Sequence, residues 1–314
     1  MLQSRGTGRP EQSISHSSRI TQGSKTIATG NITKPKRSIN VMRRPPAVAG
    51  QFYQGTAAKL TQQVQQYIND NLVKEHAIGI LSPHAGLIYS GSVAGEVYST
   101  IEIPKTFVLL GPNHTGLGSK VSIMASGEWE IPTGVFSIDE KLSQRIASNI
   151  PIVSRDSQAH TFEHSLEVQL PFIAHFSKEP KIVPIIIMSA SIEECRLIGE
   201  GIAKSIKSVI ASSVERYSVV IVASSDMSHY VSDDVARQKD KKAIEMIKAL
   251  NPEGLYEVVA REKISMCGYL PATVMLFAAK ALGAIEARLI KYTTSGEVSG
   301  DYEQVVGYAG MIVK

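Results

Sequence analysis

The chain has 314 residues, enough for one large domain or two small ones, and its 43% hydrophobic and 20% charged content is that of an ordinary globular protein. No uninterrupted apolar run approaches the roughly 18 residues of a membrane span. Two distant cysteines, Cys195 and Cys267, make no disulfide framework, and a reducing cytoplasm is the simplest setting. The net charge of +4 is misleading: residues 1–44 carry nine Lys/Arg against one acid, so the basicity belongs to a tail and not to a nucleic-acid surface on the body.

Residues 1–40, rich in Ser, Thr, Gly, Lys and Arg, show no hydrophobic periodicity and read as disordered. The tail is expected to run to residue 44, with the folded domain at 45–314. It lacks the apolar stretch of a secretory signal. A dispensable tail, with Met42 as the true start, is favoured over an organellar targeting segment.

Within the body, Leu60, Val64 and Tyr67 are spaced for a helix over 57–70. The apolar run 77–81 reads as a buried strand that stops at Ser82-Pro83-His84. A small-residue helix follows at 91–100, a strand at 105–111, and β-structure with turns at 118–137. Residues 161–177 read as a helix with Thr161 as N-cap and Phe162, Leu166, Leu170 and Ile173 as its apolar stripe, ended or kinked by Pro171. Strands are expected at 181–188 and 218–225, with a helix at 191–213 between them. Helices at 233–250, 252–261 and 270–282 precede two closing strands, 285–294 and 304–313. This alternation predicts a single α/β layered domain with a largely parallel central sheet flanked by helices.

Three of the apolar runs end in a polar loop that carries a histidine: His84, His114, and His229 with Asp226 before it. In open α/β sheets ligands sit beyond the carboxyl ends of the strands, so the three loops could share a pocket. Neutral imidazole and thiolate are ligands for zinc, iron and copper, which brings in Cys267 as well, although a small buried hydrophobe fits that cysteine equally. Asp226 and His229, three apart, could share a face at a helix start and serve as ligand, as support for a ligand, or as an acid/base pair. His164, Glu163 and Glu167 are expected to be solvated or to support a site rather than ligate. His16, His76, His160 and His175 have no functional reading. Nucleotide-binding glycine loops, a His-Glu-x-x-His pair and a serine-nucleophile elbow are not found in the sequence.

Read together, Ala47–Tyr53, Pro83-His84-Ala85-Gly86, Gly111-Pro112-Asn113-His114, Glu163–Pro171, Ser224–His229, Met266-Cys267-Gly268 and Gly307-Tyr308-Ala309-Gly310 resemble the Memo family, known in prokaryotes as AmmeMemoRadiSam system protein B. The resemblance spans about 45–314 and implies a fold similar to class III extradiol dioxygenases. It also implies metal ligands at His84, His114 and Cys267, with Asp226 and His229 lining the same pocket as proton-moving groups. The cysteine replaces a carboxylate ligand of the dioxygenases, and a thiolate suits copper or iron redox chemistry as well as zinc. Radical-SAM and AMMECR-type pathway proteins are the partners the resemblance implies.

Three functions compete. The first is an iron- or copper-dependent redox enzyme. The second is a non-catalytic module that binds a metal, a small molecule, a peptide or a protein. The third is a zinc hydrolase. Neither nucleic acid nor a membrane is expected as a partner.

Overall fold

Strands buried on both faces read as continuous apolar runs, and the centre of the sheet is built from such strands. The computed structural model describes Ser13, residues 41–213 and residues 218–314; the disorder expected of residues 1–40 falls almost wholly outside them. Val41–Lys314 form one compact unit. Its strands are β1 (Arg43–Arg44), β2 (Gly79–Ser82), β3 (Thr106–Pro112), β4 (Val121–Ile123), β5 (Glu128–Ile131), β6 (Gly134–Ile138), β7 (Ser154–Arg155), β8 (Lys181–Ile187), β9 (Val219–Ser224), β10 (His229–Val231), β11 (Ala287–Thr294) and β12 (Val305–Val313). The helices are α1 (Ala57–Gln65), α2 (Leu87–Thr100), α3 (Glu140–Asn149), α4 (Leu170–Phe176), α5 (Ile192–Ala211), α6 (Asp233–Lys248), α7 (Pro252–Arg261), α8 (Tyr269–Leu282) and the short α9 (Gly296–Ser299).

The strands join one sheet in the order β1-β5-β6-β8-β3-β9-β2-β12-β10, with β11 on β12 and β4 bridging β8 and β7. The stretch from β6 to β2 is parallel, and antiparallel pairs close both sides. This is the expected α/β architecture with a parallel centre. Alternate side chains of β3 and β9 feed two cores. Val108, Leu110, Ile221 and Ala223 pack with Ile198, Ile202, Val274 and Ala278 of α5 and α8. Phe107, Leu109, Val220 and Val222 pack with Leu60, Val97 and Phe172 of α1, α2 and α4. Two-sided burial explains why these strands lack a polar face. No helix among the described residues is long and apolar enough to cross a membrane.

Four local expectations are corrected. Residues 161–166 are not helical; a short 3-10 turn at Glu167–Gln169 leads into α4, and Pro171 stands in the first turn of that helix instead of ending it. A proline fits there because the N–H it lacks would have no helical partner. No helix starts after β9: residues 225–228 are irregular and lead into β10. The unforeseen helix α3 is capped by Asp139, whose side chain accepts from Leu142 N–H at 3.0 Å.

The fourth correction moves the start of the body. Arg43 and Arg44, expected in the tail, pair in parallel with Glu128 and Trp129 of β5. Arg44 is buried, its guanidinium 4.1 Å from the centre of the Trp129 ring. It donates to the carbonyls of His160 and Glu163 at 2.5 and 2.7 Å and to the buried Glu167 carboxylate at 2.5 Å. Glu167 also accepts from the N–H groups of Ala47 and Val48 and from the Tyr53 hydroxyl. Burial first, then the charge of Glu167, raises the Tyr53 pKa and keeps that phenol protonated. Removing one member of a buried, hydrogen-bonded ion pair strands the other. Arg44→Ala is therefore expected to cost about 3–5 kcal/mol, read as a lowered urea midpoint.

Candidate metal centre

β3, β9 and β2 are neighbours and run parallel, so their carboxyl ends meet. Ser82 is level with Ser224, and Leu110 with Ala223. His84, Asp226 and His114 each stand two residues beyond the end of their strand. They line a cavity of about 550 Å³ together with Phe52, His164, His229, Tyr230, Ser265 and Cys267. The topology thus gathers every sequence-predicted site residue.

His84 is buried, and its Nδ1 lies 2.9 Å from Ser224 Oγ. Ser224 gives its only hydroxyl proton to the carbonyl of Ser165, at 2.6 Å, and accepts from Gln169 Nε2 at 2.8 Å. The imidazole must therefore be the donor at Nδ1, which leaves the lone pair on Nε2. Nε2 lies 3.3 Å from Cys267 Sγ and 4.0 Å from Asp226 Oδ2. Asp226 Oδ1 accepts the backbone N–H of His84 at 2.8 Å and of Ala85 at 3.2 Å. Burial nonetheless pushes the Asp226 carboxyl up from its ordinary value.

His114 lies within a turn closed by Asn113, whose Oδ1 accepts the N–H groups of Thr115 and Gly116. Its Nδ1 is 2.9 Å from Glu163 Oε1, and its backbone N–H donates to Glu163 Oε2. Burial alone would raise the Glu163 pKa. The hydrogen bond and charge of His114, with the N–H groups of Ser165 and His114, outweigh it and hold the carboxyl at about 2. A carboxylate accepts only, so His114 also carries its proton on Nδ1 and offers Nε2.

Cys267 sits at the amino end of α8. Gly268 next to it has no room for a side chain, because a Cβ would lie 2.3 Å from the Ser224 carbonyl; this close approach presses the cysteine turn onto the end of β9. Burial, and then the Asp226 charge, raises the thiol pKa. His229 is fixed by Ser265, its Nδ1 donating to the Ser265 carbonyl at 2.8 Å. Tyr230 follows in the left-handed region at φ 57°, a strained backbone placement at the pocket mouth.

His164, expected in a solvated or supporting role, lines the cavity itself. Its ring stacks on His114 with centroids 4.5 Å apart and lies 4.6 Å from Phe52. Burial, then the charge of His114, lowers its pKa and favours neutral imidazole. Reading 161–177 as an amphipathic helix concealed it. The clue was Glu163-His164-Ser165, three polar residues in a segment with too much to bond to remain a helix.

Two groups of potential ligand atoms lie within 4.8 Å of one another among the described residues: His84, His114 and His164, and His84, Asp226 and Cys267. The expected ligands His84, His114 and Cys267 are thus divided between two groups that share His84. Imidazole lone pairs, a thiol and a buried acid fit a borderline or soft transition metal.

An α/β protein with imidazole, thiol and carboxylate donors converging on the carboxyl edge of its sheet is the class defined here. The family profile described as Memo-like protein matches residues 44–312, and the chain belongs to the Memo family. It is 43% identical over 271 residues to a MEMO1 family protein of Aquifex aeolicus, covering 86% of this chain and 98% of the relative. It is 39% identical over 287 residues to a MEMO1 family protein of Methanopyrus kandleri, covering 87% and 99%. An uncharacterized Escherichia coli K12 protein superposes with a TM-score of 0.48 at 15% identity, over 74% of this chain and 98% of that one.

Two outcomes are expected. The Glu163 carboxyl falls from 4.5 to about 2 on folding, so it contributes about 3 kcal/mol above pH 4.5 that is lost as the pH falls through 2. Acid unfolding of Glu163→Gln should lack this part of the pH dependence. Ser224→Ala removes the acceptor that fixes the His84 tautomer and should weaken metal affinity about 10–100-fold, measured by competition with a chelator.

Proposed function

We propose that this Memo-family protein is a transition-metal redox enzyme with iron or copper held at His84, His114 and Cys267. The observation that carries this reading is the orientation of the two imidazoles. Both are held at Nδ1 by an obligatory acceptor, and both keep the lone pair on Nε2, beyond the carboxyl ends of β2 and β3, the strands on either side of β9. Fixing the ligand tautomer through its far nitrogen is how proteins prepare histidine for a metal. The ion would supply redox or Lewis-acid chemistry.

The protein's own groups do the rest. Burial keeps Asp226 inclined to hold a proton, and His229 has its Nδ1 tied to Ser265 and its other nitrogen available, so both can pass protons within the cavity. Phe52 and Val306 give the wall an apolar part for the body of a small molecule or peptide. The cytoplasm suits an unpaired thiol in this pocket. Radical-SAM and AMMECR-type proteins are the partners that fit the family resemblance. A non-catalytic binding module is the second reading, favoured by the way burial keeps the Cys267 thiol protonated in the absence of a cation.

Elemental mass spectrometry on anaerobically purified protein is the test. About one equivalent of iron or copper is expected in the unmodified chain. His84→Ala, which removes the donor common to both ligand groups, should abolish it in a folded protein. Zinc in place of iron or copper would turn the reading to hydrolysis. No metal, and none gained on reconstitution, would leave the binding module.

A further inference from the structure

We propose that His164 is a further ligand of the ion proposed above, which draws on two donor sets: His84, His114 and His164, and His84, Asp226 and Cys267. The inference rests on the metal-site reading above and deepens it. Each set brings its three ligand atoms within 4.8 Å of one another, and they share only His84. That histidine has one nitrogen to give, because Nδ1 is committed to Ser224. One lone pair binds one ion, so the two sets serve a single ion and are not two sites filled together.

The position of His164 is built and not incidental. Arg44 grips the carbonyl of Glu163 at 2.7 Å on one side of it. On the other, Ser165 donates its N–H to Glu163 Oε1 at 2.9 Å and its hydroxyl to the Pro112 carbonyl at 3.1 Å. Gly111 admits this contact; a Cβ there would lie 2.5 Å from Ser165 Oγ. The loop is thus clamped to the end of β3, and its one side chain turned into the cavity is an imidazole stacked nearly parallel on that of His114.

The two sets differ in softness. Three imidazoles suit divalent iron, copper, cobalt or zinc, whereas a thiolate favours a softer ion such as Cu(I).

Cobalt(II) titration of the full chain, followed by visible absorption and chelator competition, tests this. The unmodified protein is expected to take up about one equivalent, by the exclusivity of the shared His84 lone pair. Cys267→Ser should lose any sulfur-to-cobalt charge-transfer absorption yet keep the bound ion, its affinity lowered about 10–100-fold. Adding His164→Gln should weaken it by at least about a further 100-fold. His164→Gln alone, with the thiol in place, should bind about 10–100-fold more weakly than the unmodified chain. Folded Cys267→Ser that binds no cobalt would overturn the proposal, as would His164→Gln with unchanged affinity. No uptake by the unmodified chain would overturn this proposal and the metal-site reading together.

Discussion

A hydroxyl has one proton, and Ser224 spends its own on the Ser165 carbonyl; much of the pocket depends on that assignment. Ser224 is the last residue of a central strand, so its hydroxyl is placed by the sheet and cannot drift. Its two remaining positions accept from His84 and from Gln169. The same Gln169 amide donates to the Pro83 carbonyl at 2.9 Å, and its oxygen accepts from Tyr98. A single fully satisfied group therefore fixes the tautomer of one ligand, the turn that precedes it, and the loop that bears His164. In a buried network of this kind every member must be satisfied, because each unpaired group would carry its whole desolvation cost.

A second network holds the far side of the same loop. Arg44 and Glu167 are both buried, and between them they occupy the carbonyls of His160 and Glu163, the N–H groups of Ala47 and Val48, and the Tyr53 hydroxyl. Their attraction offsets a large desolvation cost, so the pair specifies a geometry more than it adds stability. What it specifies is that the segment from Arg44 to Tyr53 lies against the loop from His160 to Glu167. Phe52 reaches the cavity by this route, and Leu87 N–H at the start of α2 donates back to the Phe52 carbonyl at 2.7 Å.

The sequence made the sheet and most of the pocket legible for one reason: apolar runs that end in polar loops. The runs at 77–81, 105–111 and 218–225 have both faces buried, so β-structure was the only economical reading of short segments bounded by Pro, Gly or Ser. That they would lie side by side, in the order β3-β9-β2, is a matter of topology that no local pattern contains. The segment that bears His164 and the place of Arg44 were misjudged for related reasons. A charged residue in a basic stretch resembles tail until its partner is known, and Glu167 lies more than a hundred residues away. The stripe Phe162, Leu166, Leu170 and Ile173 mimics a helix, yet Phe162 is exposed while Leu166, Leu170 and Ile173 are buried. The hydrogen bonds of Glu163 and Ser165 to β3 and to each other replace the helical ones.

The pocket is electrostatically lopsided, and the imbalance follows from where its acids are held. Glu163 has His114 and two backbone N–H groups around it and stays ionised down to about pH 2. Asp226 has two backbone N–H groups as well, but burial outweighs them and its pKa rises. Cys267, beside it, is raised by the same burial and further by any charge on Asp226. One half of the cavity therefore carries a fixed negative charge that orients an imidazole, while the other half keeps its protons until something stabilises the anions. A divalent cation near His84 Nε2 would do so, since an ion bound to a thiol removes its proton and a neighbouring carboxyl then gains by ionising. His114 and His164 need no such change, because neutral imidazole already has its lone pair. The half of the pocket that loses protons on binding an ion is thus the thiol side, and the half that is ready in advance is the imidazole side.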